Sequence, residues 1–141
     1  EDGSEKMVNE PYLVDAMSFT EAEKRITEEM SVYISGEFRV DAVKKSNASE
    51  VIFSDVDDDD KWYKAKLQFI TIDEKTDKEK RSNTTYLVQS KSLARALRYI
   101  GDFMGKTMID YDVIGINETK IMDVFKYGPK TKEDEDGNKE A

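Results

Sequence analysis

The chain has 141 residues, 38% of them charged, with a formal net charge of −9 at pH 7. It has no cysteine and no histidine, which excludes disulfides, Ser-His-Asp and Cys-His catalytic sites, and imidazole metal ligands. No apolar run approaches the roughly 20 residues of a membrane span, and 10% aromatic residues are too many for a wholly disordered chain. We therefore expect an acidic α+β protein in the cytoplasm.

An internal repeat relates two parts of the chain. Residues 12–14 recur as residues 86–88, at an offset of 74. Across residues 12–30, seven of 19 positions are identical at that offset, whereas about one identity is expected by chance. Later positions match at an offset of 73, so one residue has been inserted or deleted between the two copies.

The repeat predicts two β-β-α-β-β units, at about residues 1–54 and 61–127, each laying one helix on an antiparallel sheet. We expect the units to pair around an approximate two-fold axis as a single α+β domain of residues 1–129. Residues 130–141 carry three lysines and five acidic residues, which predicts an acidic flexible tail.

In the first unit, Ser18-Phe19-Thr20-Glu21 has the pattern of a capping box, which predicts that a helix starts there. Apolar residues then follow at helical spacing. Strands are predicted at Glu37–Lys45 and Glu50–Phe53. The predicted core residues of this unit are Leu13, Phe19, Ile26, Met30, Phe38 and Val40.

The first unit lacks a counterpart of the strand that begins at Trp62. By the repeat offset, that counterpart would lie before residue 1. We expect that a strand precedes this numbering; the alternative is a unit that evolved without it. The sheet edge beside residues 7–15 is then expected to be unpaired or filled by another chain, which would allow oligomers to form.

In the second unit, residues 62–72 alternate between apolar and polar side chains, which predicts a half-buried strand. A polar hairpin loop and a strand rich in Thr, Tyr and Val follow. The next apolar residues fall on one face of a helix, with Leu93 and Leu97 among the predicted core residues. The predicted elements are a loop at Asp73–Lys80, a strand at Arg81–Gln89, a helix at 92–104, and strands at Ile109–Ile116 and Ile121–Tyr127.

Two long segments, VNEPYLVDAMSFTEAEKRITEEM and KWYKAKLQFITIDEKTDKEKRSNTTYLVQS, resemble an uncharacterised family of small proteins from gut bacteria and their phages, classed as a domain of unknown function. The resemblance extends nearly to Phe125 and implies no particular activity. A β-β-β-β-α order, read from Glu37 through the second unit's helix, is similar by strand order alone to Pur-alpha-like and Whirly-like repeats. That second resemblance implies binding of single-stranded nucleic acid.

The candidate site is the polar face of the strand that begins at Trp62. An indole beside ammonium groups suits stacking on an unpaired base while the amines hold phosphate. The alternative is an ordinary exposed sheet face, with Trp62 capping the edge of the core. The candidate nucleic-acid-binding residues are Trp62, Lys64, Lys66 and Gln68, with Arg39, Lys44 and Lys45 widening the patch.

Five aspartates lie between Asp55 and Asp60. A calcium loop that started at Asp55 would need Gly at position six and Glu at position twelve, but Asp60 and Lys66 stand there. The segment is therefore predicted to be a solvated loop, and no metal or cofactor is expected. Without this loop and the tail the chain carries a net charge of −2, so its acidity is concentrated in these two places.

These patterns predict a non-catalytic binding module. The first interpretation is binding of single-stranded DNA or RNA through the strand face of Trp62. The alternative is an acidic accessory factor of a phage or mobile element, whose negative surface meets a basic protein partner. No membrane partner is expected, because the apolar helix stripes have the width that packing on a sheet requires.

Overall fold

The computed structural model describes residues 8–34 and 38–126. Within these ranges the chain is an α+β protein, as predicted, and none of its helices is long and apolar enough to cross a membrane. The elements in chain order are β1 (Leu13–Val14), α1 (Phe19–Met30), β2 (Glu50–Ile52), β3 (Lys61–Ile72), β4 (Glu79–Ser90), α2 (Leu93–Gly105), β5 (Asp110–Glu118) and β6 (Val124–Phe125).

The chain divides into two compact units. The larger unit includes residues 46–122 and therefore contains β2, β3, β4, α2 and β5. The smaller unit includes residues 12–45 and 123–126 and contains β1, α1 and β6.

The larger unit is built on a four-stranded sheet with the order β2-β4-β3-β5. β3 and β4 form a long antiparallel hairpin that runs from the pair Lys61↔Ser90 to the pair Ile72↔Glu79. β5 is antiparallel to β3 on its outer edge, whereas β2 is parallel to β4. The long hairpin agrees with the alternating sequence pattern, because β-strands place successive side chains on opposite faces.

α2 packs on one face of this sheet and forms the core with it. Along β3, Tyr63, Ala65 and Leu67 are buried while the residues between them are exposed. The buried core cluster comprises Tyr63, Ala65, Leu67, Tyr86, Val88, Ala96, Ile100 and Met104.

Leu93 and Leu97 were predicted to lie in the core, and this is wrong: they are 45% and 40% exposed. The face that α2 turns to the sheet is centred on the row Ala96, Ile100 and Met104, which are at most 1% exposed. Residues spaced four apart lie one above the other on a helix. The two leucines lie on the flank of this row and so are only partly covered.

The smaller unit contains a short parallel pair, in which Leu13 lies opposite Val124 and Val14 opposite Phe125. α1 starts where the capping box predicted. The Ser18 hydroxyl accepts a hydrogen bond from the Glu21 amide at 3.1 Å, and the Glu21 carboxylate accepts one from the Met17 amide at 3.0 Å.

Two predictions for the first unit are wrong. The described part of the predicted strand Glu37–Lys45, residues 38–45, forms no strand; Glu37 itself lies outside the described residues. Phe19 and Phe38, predicted as core residues, are 60% and 37% exposed. The counterpart of residues 38–45 is β5, which is held by β3, and the smaller unit's described residues contain no strand in the place of β3. Phe19 corresponds by the repeat offset to Leu93, which is likewise exposed on its helix.

The last predicted strand, Ile121–Tyr127, is shorter in the structure, where β6 contains only Val124–Phe125. Tyr127 and the acidic tail lie outside the described residues. The single-domain boundary and the two-fold relation between the repeats stay predictions.

Candidate functional site

The face of the larger sheet that points away from α2 is polar over its central part, and we call this part the open face. Lys64 lies between Leu87 and Asn117 in the strand register, and Lys66 lies between Thr85 and Gly115. One register step further, Gln68 lies between Asn83 and Asp112. Apart from Leu87, which is buried, the open face is formed by Lys64, Lys66, Gln68, Asn83, Thr85, Asp112, Gly115 and Asn117.

A shallow cavity of about 420 Å³ lies on the open face. It brings together two of the predicted site residues, Lys64 and Lys66, with polar side chains from β4, β5 and the segment before β2. Its lining residues are Asn47, Lys64, Lys66, Thr85, Gly115 and Asn117.

A β-bulge shapes this cavity. β5 pairs Gly115 with Lys66 but Val113 with Leu67, so Ile114 is an extra residue in the strand. Bulges of this kind bend a strand and change the direction of its side chains. Gly115 has no side chain, and a Cβ atom there would meet nothing within 4 Å, so the space in front of Lys66 stays open.

The basic side chains on and beside the open face differ in whether an acidic group pairs with them. Lys64 and Lys66 are exposed, and neither takes part in an ion pair among the described residues. Arg81, two residues before Asn83 on β4, is paired with acidic groups: its guanidinium lies 2.8 Å from Glu79 and 3.5 Å from Asp112. Hydrogen bonding to Glu79 raises the pKa of Arg81. The positive charge available to a ligand therefore lies on the two lysines.

Gln68, also predicted as a site residue, is held in a side-chain network on the open face. Its amide nitrogen donates to the Asn83 side-chain oxygen at 3.1 Å, and its amide oxygen accepts from Arg81 at 2.9 Å. Gln68 is therefore positioned but has both polar atoms engaged, unlike the two lysines.

Trp62 is not available at the site, which corrects the prediction that its indole could stack on a base. Trp62 is only 2% exposed. Its ring makes an edge-to-face contact with Phe53, with ring centroids 5.6 Å apart and an interplanar angle of 86°. The alternative interpretation, in which Trp62 packs at the edge of the core, describes this position.

Arg39, Lys44 and Lys45 were predicted to widen the basic patch from a neighbouring strand. They are exposed, but the segment around them forms no strand, and they belong to the smaller unit. Arg39 is paired with Asp41 at 3.1 Å. The open face is therefore defined by residues of the larger unit alone, and these three basic residues are not counted in it.

Sequence reasoning missed a buried polar cluster, which we call the Asp59 cluster. Asp59 was predicted to lie in a solvated loop, but its side chain is 0% exposed. Its carboxylate accepts hydrogen bonds from the hydroxyls of Ser54 at 2.5 Å and Tyr99 at 2.6 Å, and from the Arg95 guanidinium at 3.0 Å. The cluster therefore connects the loop before β3 to helix α2.

The pKa of Asp59 reflects opposing effects. Burial raises it, but the hydrogen bonds from Ser54, Tyr99, Arg95 and the Lys91 backbone together outweigh burial, and the pKa lies below its ordinary value of 3.8. The carboxylate is therefore ionised in the folded chain at neutral pH. The available sequence signal was the pair Arg95 and Tyr99, four residues apart on one helix face.

The described part of the chain contains no group of three or more acidic residues arranged to hold a metal ion. What the open face offers chemically is two ammonium groups and neutral hydrogen-bonding side chains beside a cavity. Such groups bind anionic oxygens, as in phosphate or carboxylate.

The fold and the site define a small α+β protein whose larger unit presents a polar sheet face on the side opposite α2. The chain belongs to a family described as a domain of unknown function (DUF4494), whose family model matches residues 1–127. This confirms the family resemblance seen in the sequence. Comparison with curated proteins gave no match, and comparison with solved structures gave none either.

Proposed function

We propose that the protein is a non-catalytic binding module whose open face binds single-stranded nucleic acid through the phosphate backbone. The observation that carries the proposal is the position of Lys64 and Lys66. They stand two residues apart on one face of β3 beside the 420 Å³ cavity, exposed and without an ion pair in the described part of the chain. A pair of unpaired ammonium groups favours an anionic partner.

The burial of Trp62 changes the expected mode of binding. Without an accessible indole, stacking does not contribute, and the affinity rests on phosphate contacts and on hydrogen bonds from Thr85 and Asn117. Phosphate contacts carry no sequence information by themselves. We therefore expect weak binding with little sequence preference and a marked dependence on salt.

The test measures fluorescence anisotropy of labelled oligo-dT and oligo-rU at several salt concentrations. The variant Lys64→Ala/Lys66→Ala removes both site charges. For single strands the slope of log K against log salt is about −0.7 per phosphate contact, so this variant should flatten the slope by about 1.4.

A matched control removes the same charge elsewhere. Lys75→Ala/Lys78→Ala changes two exposed lysines of the hairpin loop between β3 and β4, and it should leave the slope close to that of the unchanged chain. Equal effects of the two double variants would mean that overall charge, not the open face, governs binding. If no binding is detected near 100 μM protein, on the order of the weakest non-specific affinities, the proposal is overturned and the acidic protein-interaction alternative is favoured.

A further inference from the structure

The cavity on the open face combines its two charges with neutral polar groups. Besides Lys64 and Lys66, its lining residues are Asn47, Thr85, Gly115 and Asn117. None of these described lining residues is aromatic. Two amides and one hydroxyl therefore lie around the lysine pair, so hydrogen bonding rather than stacking distinguishes between anionic ligands at this place.

The neutral groups lie on both sides of the lysine pair. Asn47 precedes β2, and its segment is attached to β4 through Ser49. The Ser49 amide donates to the Thr85 carbonyl oxygen at 2.8 Å, and the Ser49 hydroxyl donates to the same oxygen at 3.1 Å. Asn117 lies on the other side, on β5. A ligand on the two lysines therefore has an asparagine side chain on either side of it.

The polar atoms of these side chains are available to a ligand. In the described part of the chain, the side chains of Asn47 and Thr85 form no hydrogen bond. The Asn117 side-chain nitrogen donates to the neighbouring Glu118 carbonyl oxygen at 3.4 Å, which leaves its amide oxygen as an acceptor. A side-chain amide offers both donors and an acceptor. The cavity is therefore matched by a ligand that has a hydrogen-bond donor as well as anionic oxygens.

The exposed basic stretch is short along β3. Lys64 and Lys66 lie about 6.6 Å apart along the strand, since a strand rises about 3.3 Å per residue. Before Lys64, the next residue on the same face is Trp62, which is only 2% exposed. After Lys66, the next register position brings in the exposed Asp112 carboxylate, which repels a further phosphate. The stretch therefore has room for two successive phosphates and the sugar between them.

We propose that the open face selects RNA over DNA, which rests on the proposed function. Lys64 and Lys66 each bind one of two successive phosphates, as in charged grooves that follow a single strand. The ribose between them lies in front of the cavity, where its 2′-hydroxyl donates to an asparagine side-chain oxygen. The DNA backbone has no hydrogen-bond donor, so that oxygen stays without a partner from the ligand backbone. The 2′-hydroxyl, a donor and an acceptor, is the group by which proteins distinguish RNA from DNA.

The test compares oligo-rU with oligo-dU of the same length by fluorescence anisotropy at one salt concentration. These probes have the same base and differ only in the 2′-hydroxyl. We expect oligo-rU to bind roughly three- to tenfold more tightly, the factor that one net hydrogen bond provides. A 2′-fluoro oligo-U keeps the sugar conformation of ribose but has no donor, and it should bind like oligo-dU. Binding of the 2′-fluoro probe as tightly as oligo-rU would overturn the hydroxyl contact.

Variants of the cavity locate the preference. Asn47→Ala/Thr85→Val/Asn117→Ala removes its neutral polar groups and keeps both lysines, so the ratio of the oligo-rU and oligo-dU affinities should fall to about one. Asn117→Ala alone, at an exposed position of β5, should lower the ratio with little effect on folding. The matched control is Asn83→Ala, on the open face but outside the cavity lining, which should leave the ratio unchanged. A ratio that the cavity variants do not lower would overturn the proposal.

The lysine variant separates RNA selection from nucleic-acid binding itself. If oligo-rU and oligo-dU bind equally and Lys64→Ala/Lys66→Ala flattens the salt dependence of both, RNA selection is overturned while the proposed function stands. If neither probe binds, or if binding does not depend on the two lysines, the proposed function is overturned and RNA selection with it.

Discussion

Replacing Asp59 with alanine tests whether the Asp59 cluster anchors the loop before β3 to helix α2. The substitution removes a fully buried carboxylate that accepts three side-chain hydrogen bonds. It leaves the Arg95 guanidinium and the Tyr99 hydroxyl without their acceptor. Breaking a buried charge pair by removing one partner typically costs about 3–5 kcal/mol.

The expected cost lies at the lower end of this range. The Arg95 side chain is 29% exposed, so water can replace part of its lost hydrogen bonding. Hydrogen bonds to charged groups contribute about 1.5–3 kcal/mol each before such compensation. We therefore expect Asp59→Ala to lower the free energy of unfolding by about 3 kcal/mol, which corresponds to a fall in Tm of roughly 10 °C for a chain of this size.

The assay is urea unfolding followed by circular dichroism, with Asp58→Ala as the matched control. Asp58 is its sequence neighbour, but its side chain is 69% exposed and lies 3.7 Å from Lys91. Such a surface pair contributes about 1 kcal/mol or less. Equal losses in the two variants would refute the assignment of Asp59 as an anchor.

Two further predictions follow from the same structure. The folded pKa of Asp59 lies below 3.8, so the stabilisation that its ionised carboxylate provides is complete above that pH and is lost as the pH falls through the lower folded value. Urea unfolding at several pH values should therefore show that the difference in free energy of unfolding between the unchanged chain and Asp59→Asn shrinks in acid. A difference that stays constant with pH would contradict this prediction. Gly101→Ala, inside α2, should raise the free energy of unfolding by about 0.5–1 kcal/mol, because alanine favours a helix more than glycine does. There is room for the new Cβ, which would meet the Tyr111 hydroxyl at 3.8 Å, an ordinary contact. Gly105→Ala, at the helix end, should stabilise less, and destabilisation by Gly101→Ala would show that the added methyl group does not fit beside Tyr111.

The larger unit was predictable because its signals are local. The alternation from Trp62 to Ile72 and the helical spacing of Ala96, Ile100 and Met104 each identify one buried face without knowledge of the neighbours. The sequence also indicated β5, the strand that follows α2.

The errors arise where structure depends on partners distant in sequence. Residues 38–45 have the apolar pattern of a strand, but a single strand needs a neighbour to supply its hydrogen bonds. Asp59 sits in an acidic run, and only the packing of α2 brings Arg95 and Tyr99 within hydrogen-bond distance of it. No local pattern distinguishes it from its exposed neighbours Asp58 and Asp60.

At Trp62 a local pattern predicted the strand correctly, but a contact distant in sequence decided where the side chain lies. Its fluorescence permits a direct test of whether the indole is buried. Alternation alone placed its indole beside Lys64, but the pairing of β2 with β4 brings Phe53 against the ring, and no local pattern encodes that pairing. The chain has one tryptophan, so its fluorescence reports on Trp62 alone. At 2% exposure, we expect blue-shifted emission that acrylamide quenches poorly in the folded chain and strongly in urea.

The same signal separates backbone binding from base stacking. If the open face binds through Lys64 and Lys66, saturating oligo-dT should change the anisotropy of the labelled strand while the tryptophan emission stays constant. A stacked base would instead quench the indole, because stacking requires direct ring contact. Emission typical of a solvated indole, or quenching by oligo-dT that Lys64→Ala/Lys66→Ala abolishes, would therefore show that Trp62 is accessible and would return it to the binding face.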